Sequence, residues 1–378
     1  MRVALVHDWL TGLRGGERVL HELTLLYPNA DLFTLVHVQG TTTPEIERLT
    51  IHASPLSRIP GVARHYRKLL PLYPWAIERF DLGAYDLVVS CSHAVAKSVR
   101  IAPGAVHVCY CLTPMRYIWD QADAYLGRGL KRAVSAPLVG ALRRFDVRTS
   151  TPERVSRFVA ISRAVAGRIH AHYGRESAVV HPPVDTTRFV PRASAARDDA
   201  EGFYFMLGGF VPYKREELAI EAFRTLDRTL LVAGDGPTRR KLEKRAPSNV
   251  RFLGRLSDVD LADHYQRCRA LVYPQEEDFG ITAVEAQAAG RPVIAFGKGG
   301  ARDTIRPPED AKPGRGPTGI LFDTQTAAAL AEALGRFERS EAAFVSSEIR
   351  TFAEGFSIGR FRTELTREIE TALRTGAR

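Results

Sequence analysis

Two glutamates eight positions apart, Glu277 and Glu285, are the strongest candidates for a functional site in this 378-residue chain. An apolar, strand-like run at 269–274 precedes them, and residues 280–290 have the composition of a helix closed by glycine. Glu277 therefore precedes a predicted helix start, and Glu285 lies more than one turn inside that helix. The pattern predicts one carboxylate on each side of a helix N-terminus.

The predicted helix start is suited to a diphosphate. Backbone N–H groups of Gly280, Ile281 and Thr282, together with the positive end of the helix dipole, would attract the anion. Glu277 would accept hydrogen bonds from a sugar ahead of the phosphates, and Glu285 from a ribose behind them. Taken alone, each glutamate is better explained structurally, Glu277 as part of an ordinary acidic N-terminal turn and Glu285 as a solvated helix residue. The strand, turn and helix context together predict a nucleotide-sugar site.

The elements that must position this site follow from alternating strand-like and helical segments. Such alternation predicts parallel sheets with helices on both faces, and the length exceeds what a single core comfortably supports. We predict an α/β protein of two Rossmann-like, doubly wound domains facing across a cleft. The N-terminal domain would span 1–190 and the nucleotide-sugar-binding domain 203–355, joined by a proline-rich, charged linker at 191–202. Residues 356–378 have helical spacing.

The net charge of +10 and the pI near 9.6 require an anionic partner. No nucleic-acid-binding signature is present, so we predict no nucleic acid partner. Segments 58–75 and 128–157 each combine basic residues with aromatic or apolar ones. Both segments are equally compatible with contact to an anionic membrane and with solvated helices whose lysine and arginine side-chain stems cover a core. Without a run of 18 apolar residues, we expect a cytoplasmic protein, peripheral on the inner face of the plasma membrane.

Four cysteines are too few for a disulfide framework in a chain of this length. All lie in apolar contexts, so we interpret them as small core residues. Cys109 and Cys111 lack the second pair or nearby histidines that a zinc site needs. We therefore predict no metal and no cofactor.

The stretch EEDFGITAVEAQAAGRPVIA at 276–295 resembles the C-terminal signature of the retaining glycosyltransferases of family 4, in which E-x7-E precedes A-x-A-x-G-x-P-V-I-A. Segments 3–20, 210–223 and 232–237 are similar to other parts of that family, so the resemblance covers nearly the whole chain. HDWLTGLRGGE, CYCLTPMRYIWD and VPYKR are most similar to the bacterial polysaccharide mannosyltransferase branch.

The resemblance implies the GT-B architecture, with a C-terminal helix that crosses back to the first domain. It implies transfer of a hexose, here mannose from GDP-mannose, to a glycan or lipid-linked acceptor in cell-envelope or exopolysaccharide synthesis. Retention on this fold is explained by front-face attack, without a protein nucleophile. Two alternatives stay open: a GT-B transferase or epimerase that uses a UDP-sugar, and a catalytically weak donor-binding scaffold.

On the donor side, the resemblance implies that Lys214 contacts the leaving phosphate, with Arg215 as its helper. The glycine loop after the first strand would approach donor or acceptor closely, although a tight strand-to-helix turn explains it equally well. Similarity to the donor-side loop adds Lys298 and Gly299. The further donor-binding candidates in the N-terminal domain are Gly15 and Gly16.

On the acceptor side, His93 follows an apolar strand and is the catalytic candidate, weighed against a capping or core histidine. The predicted acceptor site contains residues expected at strand ends, each of which is also compatible with a structural role: Asp8, Arg116, Tyr117, Trp119 and Asp120. Three positions depart from the family pattern. Gly209 replaces an arginine, Leu112 a histidine and Asp303 a common glutamate, and the first two put catalytic rate in question.

Overall fold

A computed structural model describes residues 1–120, 130–192 and 202–376. The chain forms two compact units: unit 1 is Met1–Pro183 with Phe361–Arg378, and unit 2 is Val184–Arg360. Unit 2 thus begins earlier than the predicted linker, because Val184 pairs with Ser357 and the Arg350 guanidinium donates to the Thr186 carbonyl at 2.5 Å. Much of the predicted linker, 193–201, lies outside the described residues.

Unit 1 is built on a seven-stranded, all-parallel sheet with the order β3-β2-β1-β4-β5-β6-β7. The central strands are buried at every position and mostly apolar, as a sheet covered on both faces requires. The strands are β1 (Val3–Leu10), β2 (Asp31–His37), β3 (Thr50–Ala53), β4 (Leu87–Ser92), β5 (Val106–Cys111), β6 (Arg157–Ala160) and β7 (Ser177–Val179).

Helices connect these strands. The longer ones are amphipathic, and α1 turns Val19, Leu20 and Leu23 into the core. The helices before residue 184 are α1 (Gly15–Leu26), α2 (Pro44–Glu47), α3 (Val62–His65), α4 (Tyr73–Ile77), α5 (Leu130–Arg148) and α6 (Arg163–Tyr173).

Unit 2 contains a six-stranded parallel sheet with the order β10-β9-β8-β11-β12-β13. Its first strand, β8, lies between β9 and β11, so the strand order reverses between β8 and β11. In open parallel sheets, ligands bind at the carboxyl ends of the strands at this switch point. The strands are β8 (Phe203–Gly208), β9 (Thr229–Gly234), β10 (Val250–Gly254), β11 (Leu271–Tyr273), β12 (Val293–Phe296) and β13 (Gly319–Phe322).

The helices of unit 2 cover both faces of this sheet, and α12 packs Leu330, Leu334 and Phe337 into the core. They are α7 (Glu216–Arg224), α8 (Arg239–Glu243), α9 (Asp258–Arg267), α10 (Ile281–Ala288), α11 (Ala301–Thr304), α12 (Ala327–Ser340) and α13 (Ser346–Glu354).

The C-terminal helix α14 (Ile358–Gly376) begins in unit 2 and packs on unit 1 from Phe361 onward. The Phe361 ring meets Tyr110 edge-on at 5.6 Å, and the Glu368 carboxylate pairs with Arg157 at 2.5 Å. Among the helices of the described ranges, none is sufficiently long and apolar to cross a bilayer.

The predicted doubly wound architecture is confirmed, including two all-parallel sheets and a C-terminal helix that joins the first unit. The sequence pattern missed three strands, β3, β7 and β13. Each has at most four residues and lies at a sheet edge. In such short, partly exposed runs the apolar periodicity is too brief to be distinguished from a loop.

Candidate functional site

Lys214 and Glu277 form an ion pair at the switch point of unit 2. Lys214 ends a 3-10 turn, Pro212–Lys214, that follows β8, and Glu277 lies in the turn after β11. The Lys214 ammonium contacts the Glu277 carboxylate directly. Two predicted site residues, 63 positions apart in sequence, are therefore brought together. They lie where the topology places a ligand.

The loop that presents Lys214 has unusual backbone geometry. Phe210 and Arg215, which flank the loop, both adopt positive φ, 46° and 58°, although neither is glycine. Such conformations cost energy and persist where the surrounding structure imposes them. Here the buried Glu216 carboxylate accepts a hydrogen bond from the Phe210 amide at 2.7 Å. The strained loop holds the Lys214 side chain toward β11.

The electrostatics of this pair favour the charged forms. Burial of Lys214 opposes its ammonium charge, but the Glu277 carboxylate outweighs burial and raises the lysine pKa. Both side chains keep some contact with solvent, at 20% and 25% exposure, so a ligand can reach them. Beneath them, burial and then the Glu277 charge raise the pKa of the Tyr273 phenol well above its ordinary value. That phenol stays neutral.

Glycines fix the turn that carries Glu277. Gly280, with φ of 99°, precedes α10, and a Cβ there would lie 2.9 Å from the Tyr273 hydroxyl. Gly299 packs directly on the turn, and the Gly300 amide donates to the Glu277 carbonyl at 2.8 Å. Ile281 and Thr282 follow as the first, half-buried turn of α10. The predicted strand, turn and helix are therefore all present.

Glu285 lies inside α10, as predicted, but only 6% of it is exposed. The buried Tyr265 hydroxyl, on α9, donates to its carboxylate at 3.4 Å. A ribose contact would therefore use the edge of this carboxylate rather than a freely solvated side chain. Nothing in the sequence pattern indicated Tyr265 as its neighbour.

The other predicted donor-side cations are more exposed. The Arg215 guanidinium pairs with Glu217 at 3.0 Å, and the Lys298 ammonium lies 5.6 Å from the centre of the Phe296 ring. Asp303, which replaces a common glutamate, is buried on α11. At Gly209, a Cβ would meet only the Lys214 side chain, at 3.9 Å. The arginine missing at this position therefore leaves space beside the lysine.

In unit 1, Asp8 differs from its predicted role. It is fully buried, and its two carboxylate oxygens accept backbone hydrogen bonds from residues 93–96 at 2.7–2.9 Å. Because these four amides occupy the carboxylate, Asp8 holds this segment and cannot contact an acceptor sugar. His93 Nδ1 also lies 3.1 Å from Asp8, while the ring packs edge-on against Trp9. Burial lowers the His93 pKa despite the Asp8 charge.

The glycine segment after β1 adopts the strand-to-helix turn that is its alternative explanation, because Gly15 and Gly16 form the first turn of α1. A Cβ on Gly16 would lie 2.9 Å from Leu112 and 3.3 Å from the His7 ring. His7 is fully buried, with Nδ1 3.0 Å from the Cys91 carbonyl and Nε2 3.8 Å from Glu17. Burial opposes its charge, but Cys91 and Glu17 raise the His7 pKa well above its usual value. The helix start thus covers a buried charged histidine that sequence patterns gave no signal for.

The remaining acceptor candidates follow β5, and two of them have internal partners. The Trp119 indole donates to Asp146 at 2.8 Å, and the Asp120 carboxylate pairs with Arg168 at 3.2 Å. These contacts support structural roles. Arg116 and Tyr117 lie half-buried in the same turn, where both also have interactions within the protein and Tyr117 packs against the hydrophobic core. They remain the acceptor-side candidates of this segment, whose continuation at 121–129 lies outside the described residues.

Among the described histidine, cysteine and acidic side chains, no cluster of three or more is arranged to hold a metal ion. The four cysteines are free and buried, as predicted. Burial raises the pKa of Cys268 to about 12, which makes this thiol unreactive at neutral pH.

The two doubly wound units define the GT-B fold, the class predicted from sequence. The Anabaena protein Alr3699/HepE in complex with UDP-glucose shares the fold with a TM-score of 0.68 at 17% identity, over 98% of this chain and 100% of that one. Residues 189–350 match the family described as "Glycosyl transferases group 1". That segment contains Lys214, Glu277 and Glu285.

Two curated relatives are mannosyltransferases, in line with the predicted resemblance. The GDP-mannose-dependent alpha-mannosyltransferase of Mycolicibacterium smegmatis is 38% identical over 151 residues, 37% of each chain. O-antigen chain mannosyltransferase C of Escherichia coli is 33% identical over 102 residues, 25% of this chain and 28% of the relative. The chain spans less than half the length of these relatives.

Proposed function

We propose that this protein is a retaining glycosyltransferase. It would transfer mannose from GDP-mannose to a glycan or lipid-linked acceptor in cell-envelope or exopolysaccharide synthesis, without a metal or cofactor. The observation that carries the proposal is the contact between Lys214 and Glu277 at the switch point of unit 2, beside the N-terminus of α10. A cation, a carboxylate and a helix start are the groups that a nucleotide sugar requires.

In this proposal, unit 2 binds the donor. The Lys214 ammonium neutralises charge that develops on the departing diphosphate, which is the main electrostatic demand of the reaction. The first turn of α10 holds the phosphates, Glu277 accepts hydrogen bonds from the sugar hydroxyls, and Glu285 accepts them from the ribose. Lys298 and Arg215 supply further positive charge near the same strand ends. A donor phosphate oxygen takes the acceptor proton, so no protein nucleophile is assigned.

The acceptor is proposed to contact unit 1. Arg116 and Tyr117 are the half-buried polar residues after β5, and His93 is the partly exposed imidazole held beside Asp8. The low pKa of His93 leaves it neutral near pH 7, able to accept or donate a hydrogen bond to a hydroxyl. Its position after β4 supports it as the replacement for the histidine absent at Leu112.

Mannose is supported by the two relatives named above, and the HepE complex with UDP-glucose keeps a UDP-sugar as the second candidate. A transfer assay separates them. Purified protein is incubated with bacterial membrane lipids and radiolabelled GDP-mannose or UDP-glucose, and label in the lipid extract is counted. Label from GDP-mannose that disappears in Lys214→Met supports the proposal. Label from UDP-glucose alone would identify a UDP-sugar, rather than GDP-mannose, as the donor. Donor binding without transfer would favour the catalytically weak donor-binding scaffold.

We further propose that the protein acts in the cytoplasm, peripheral on an anionic membrane. In segment 58–75 the side chains of Ile59, Leu72 and Trp75 are 38–48% exposed, among basic residues that are also exposed. Tyr66 and Tyr73 of the same segment are buried and belong to the core. The second basic segment, 128–157, is only partly within the described residues, and it contributes the exposed Leu138 and Val147.

Vesicle flotation tests this location. The protein should float with vesicles containing phosphatidylglycerol and not with pure phosphatidylcholine, and raised salt should release it. Trp75→Ser should weaken flotation, whereas Val259→Ser, at a still more exposed apolar position of unit 2, should not. Equal flotation with both vesicle types would contradict the electrostatic contact.

A further inference from the structure

The Lys214–Glu277 pair has a second consequence, which rests on the proposed function. The Lys214 ammonium, the proposed cation for the phosphates, is in contact with the Glu277 carboxylate, the proposed hydrogen-bond acceptor for the sugar. A ligand that carries phosphates but no sugar must compete with Glu277 for Lys214. We infer that Glu277 makes the site discriminate against a nucleoside diphosphate and in favour of a nucleotide sugar.

The charges around the pair support this inference. The raised pKa of Lys214 indicates that the protein environment stabilises its ammonium chiefly through Glu277. The remaining carboxylate beside the lysine is Glu216, whose pKa is raised by burial and which is turned to the Phe210 amide. The Tyr273 phenol below the pair is neutral, because burial and the Glu277 charge raise its pKa, and the Lys214 ammonium lies 5.8 Å from the centre of the Tyr213 ring. Glu277 is therefore the acid that decides how available Lys214 is.

The two ligands differ in the charge and hydrogen-bond donors that they bring to Glu277. A nucleoside diphosphate ends in a phosphate that carries a second negative charge, and a carboxylate at this distance repels it. A nucleotide sugar replaces that terminal charge with a hexose whose hydroxyls donate to the carboxylate. Glu277 thus opposes the first ligand and attracts the second. After transfer the same carboxylate would promote release of the nucleoside diphosphate.

The backbone of Glu277 is fixed beside the lysine. The Glu277 carbonyl accepts the Gly300 amide at 2.8 Å, and residue 277 pairs with Gly299 in a bridge between the two loops. The lysine is equally constrained between the positive-φ residues Phe210 and Arg215. Because both backbones are held in place, the two side chains start within reach of each other, and a phosphate must separate them by side-chain rotation to reach Lys214.

Glu277→Gln tests the inference because it removes the charge and keeps an acceptor oxygen and the side-chain volume. Titration calorimetry with GDP and GDP-mannose, and with UDP and UDP-glucose, gives the affinities of wild type and variant. We expect the variant to bind the diphosphate about tenfold more tightly and the nucleotide sugar about tenfold more weakly, each about 1.4 kcal/mol. The preference for sugar-bearing ligand should therefore fall about a hundredfold.

Glu276→Gln is the matched control, since it removes the same charge one residue away. Its preference between diphosphate and nucleotide sugar should equal that of wild type, and thermal unfolding of both variants verifies that they fold. If Glu277→Gln weakens the binding of both ligands, or changes neither affinity, the inference that Glu277 discriminates between them is wrong, while the proposed donor binding stands. If wild type binds no nucleotide and no nucleotide sugar, the proposed function fails, and the inference fails with it.

Discussion

Gly299 packs on the Glu277 backbone so closely that an added Cβ would lie 2.2 Å from the Glu277 carbonyl oxygen. Because real Cβ atoms do not approach a carbonyl oxygen this closely, only glycine permits the contact. The loop after β12 thereby fixes the turn after β11 that carries the sugar-binding candidate. The position of Glu277 therefore depends on this contact with Gly299.

Gly299→Ala should therefore displace the Glu277 turn. We expect a loss of donor affinity of about tenfold or more and destabilisation above the roughly 1–2 kcal/mol of left-handed strain alone. Gly314→Ala is the control, because Gly314 has a similar φ of 70° and a Cβ there would meet nothing within 4 Å. Calorimetry and chemical denaturation provide the two readouts. Equal effects of both substitutions would show that backbone strain, rather than the contact with Glu277, matters at Gly299.

Gly209→Arg should strengthen donor binding. Gly209 stands where the resembling family has an arginine, and the space beside Lys214 can accept a side chain. A restored charge-assisted contact to the diphosphate would contribute about 1.5–3 kcal/mol. Gly209→Gln, which adds bulk without charge, is the matched control. If arginine improves affinity no more than glutamine does, the diphosphate lies elsewhere.

Lys97→Met should strongly destabilise the protein. Lys97 is fully buried with its ammonium 2.9 Å from the buried Asp146 carboxylate, which also accepts hydrogen bonds from Trp119 and Tyr173. Removing the lysine leaves an uncompensated buried charge, which costs about 3–5 kcal/mol. Lys97→Met with Asp146→Asn should recover part of that loss in urea unfolding. A double variant less stable than the sum of the single variants would contradict this charge argument.

His107 should make the stability depend on pH. It is fully buried, with Nε2 2.8 Å from the Ser90 hydroxyl and Nδ1 2.6 Å from the Arg154 carbonyl, and burial lowers its pKa to about 4. The unfolded chain, with an imidazole pKa near 6.5, binds more protons between these values, so stability falls as pH is lowered. From about pH 7 to about pH 5 the loss from this group is about 2 kcal/mol.

Urea unfolding at the two pH values checks this dependence. His107→Asn keeps one hydrogen-bond donor and one acceptor but does not titrate. Between about pH 7 and about pH 5 its free energy of unfolding should therefore fall by about 2 kcal/mol less than that of wild type. The surface variant His170→Asn, at a solvent-exposed histidine, serves as the control and should keep the wild-type dependence. An unchanged pH dependence in His107→Asn would assign it to other groups.

Sequence patterns predicted the two-sheet fold and the local strand, turn and helix around Glu277. Apolar periodicity identified the long strands, and the motif around Glu277 predicted the strand, turn and helix that the structure contains. Such patterns could not give the Lys214–Glu277 contact or the packing of Gly299, because both arise from pairing between distant strand ends. Nor could they separate Asp8, which caps a segment 85 positions away, from a ligand-facing acid. Burial, which decides that role, is a property of tertiary structure.

The most direct test of a nucleotide-sugar site in unit 2 is titration calorimetry with GDP-mannose and UDP-glucose. The measurement compares wild type with Lys214→Ala and Glu285→Ala. We expect GDP-mannose to bind saturably and more tightly than UDP-glucose. Its affinity should fall at least about tenfold in each variant. Absent or equally feeble binding of both ligands, unchanged by the substitutions, would contradict the donor site and the glycosyltransferase proposal.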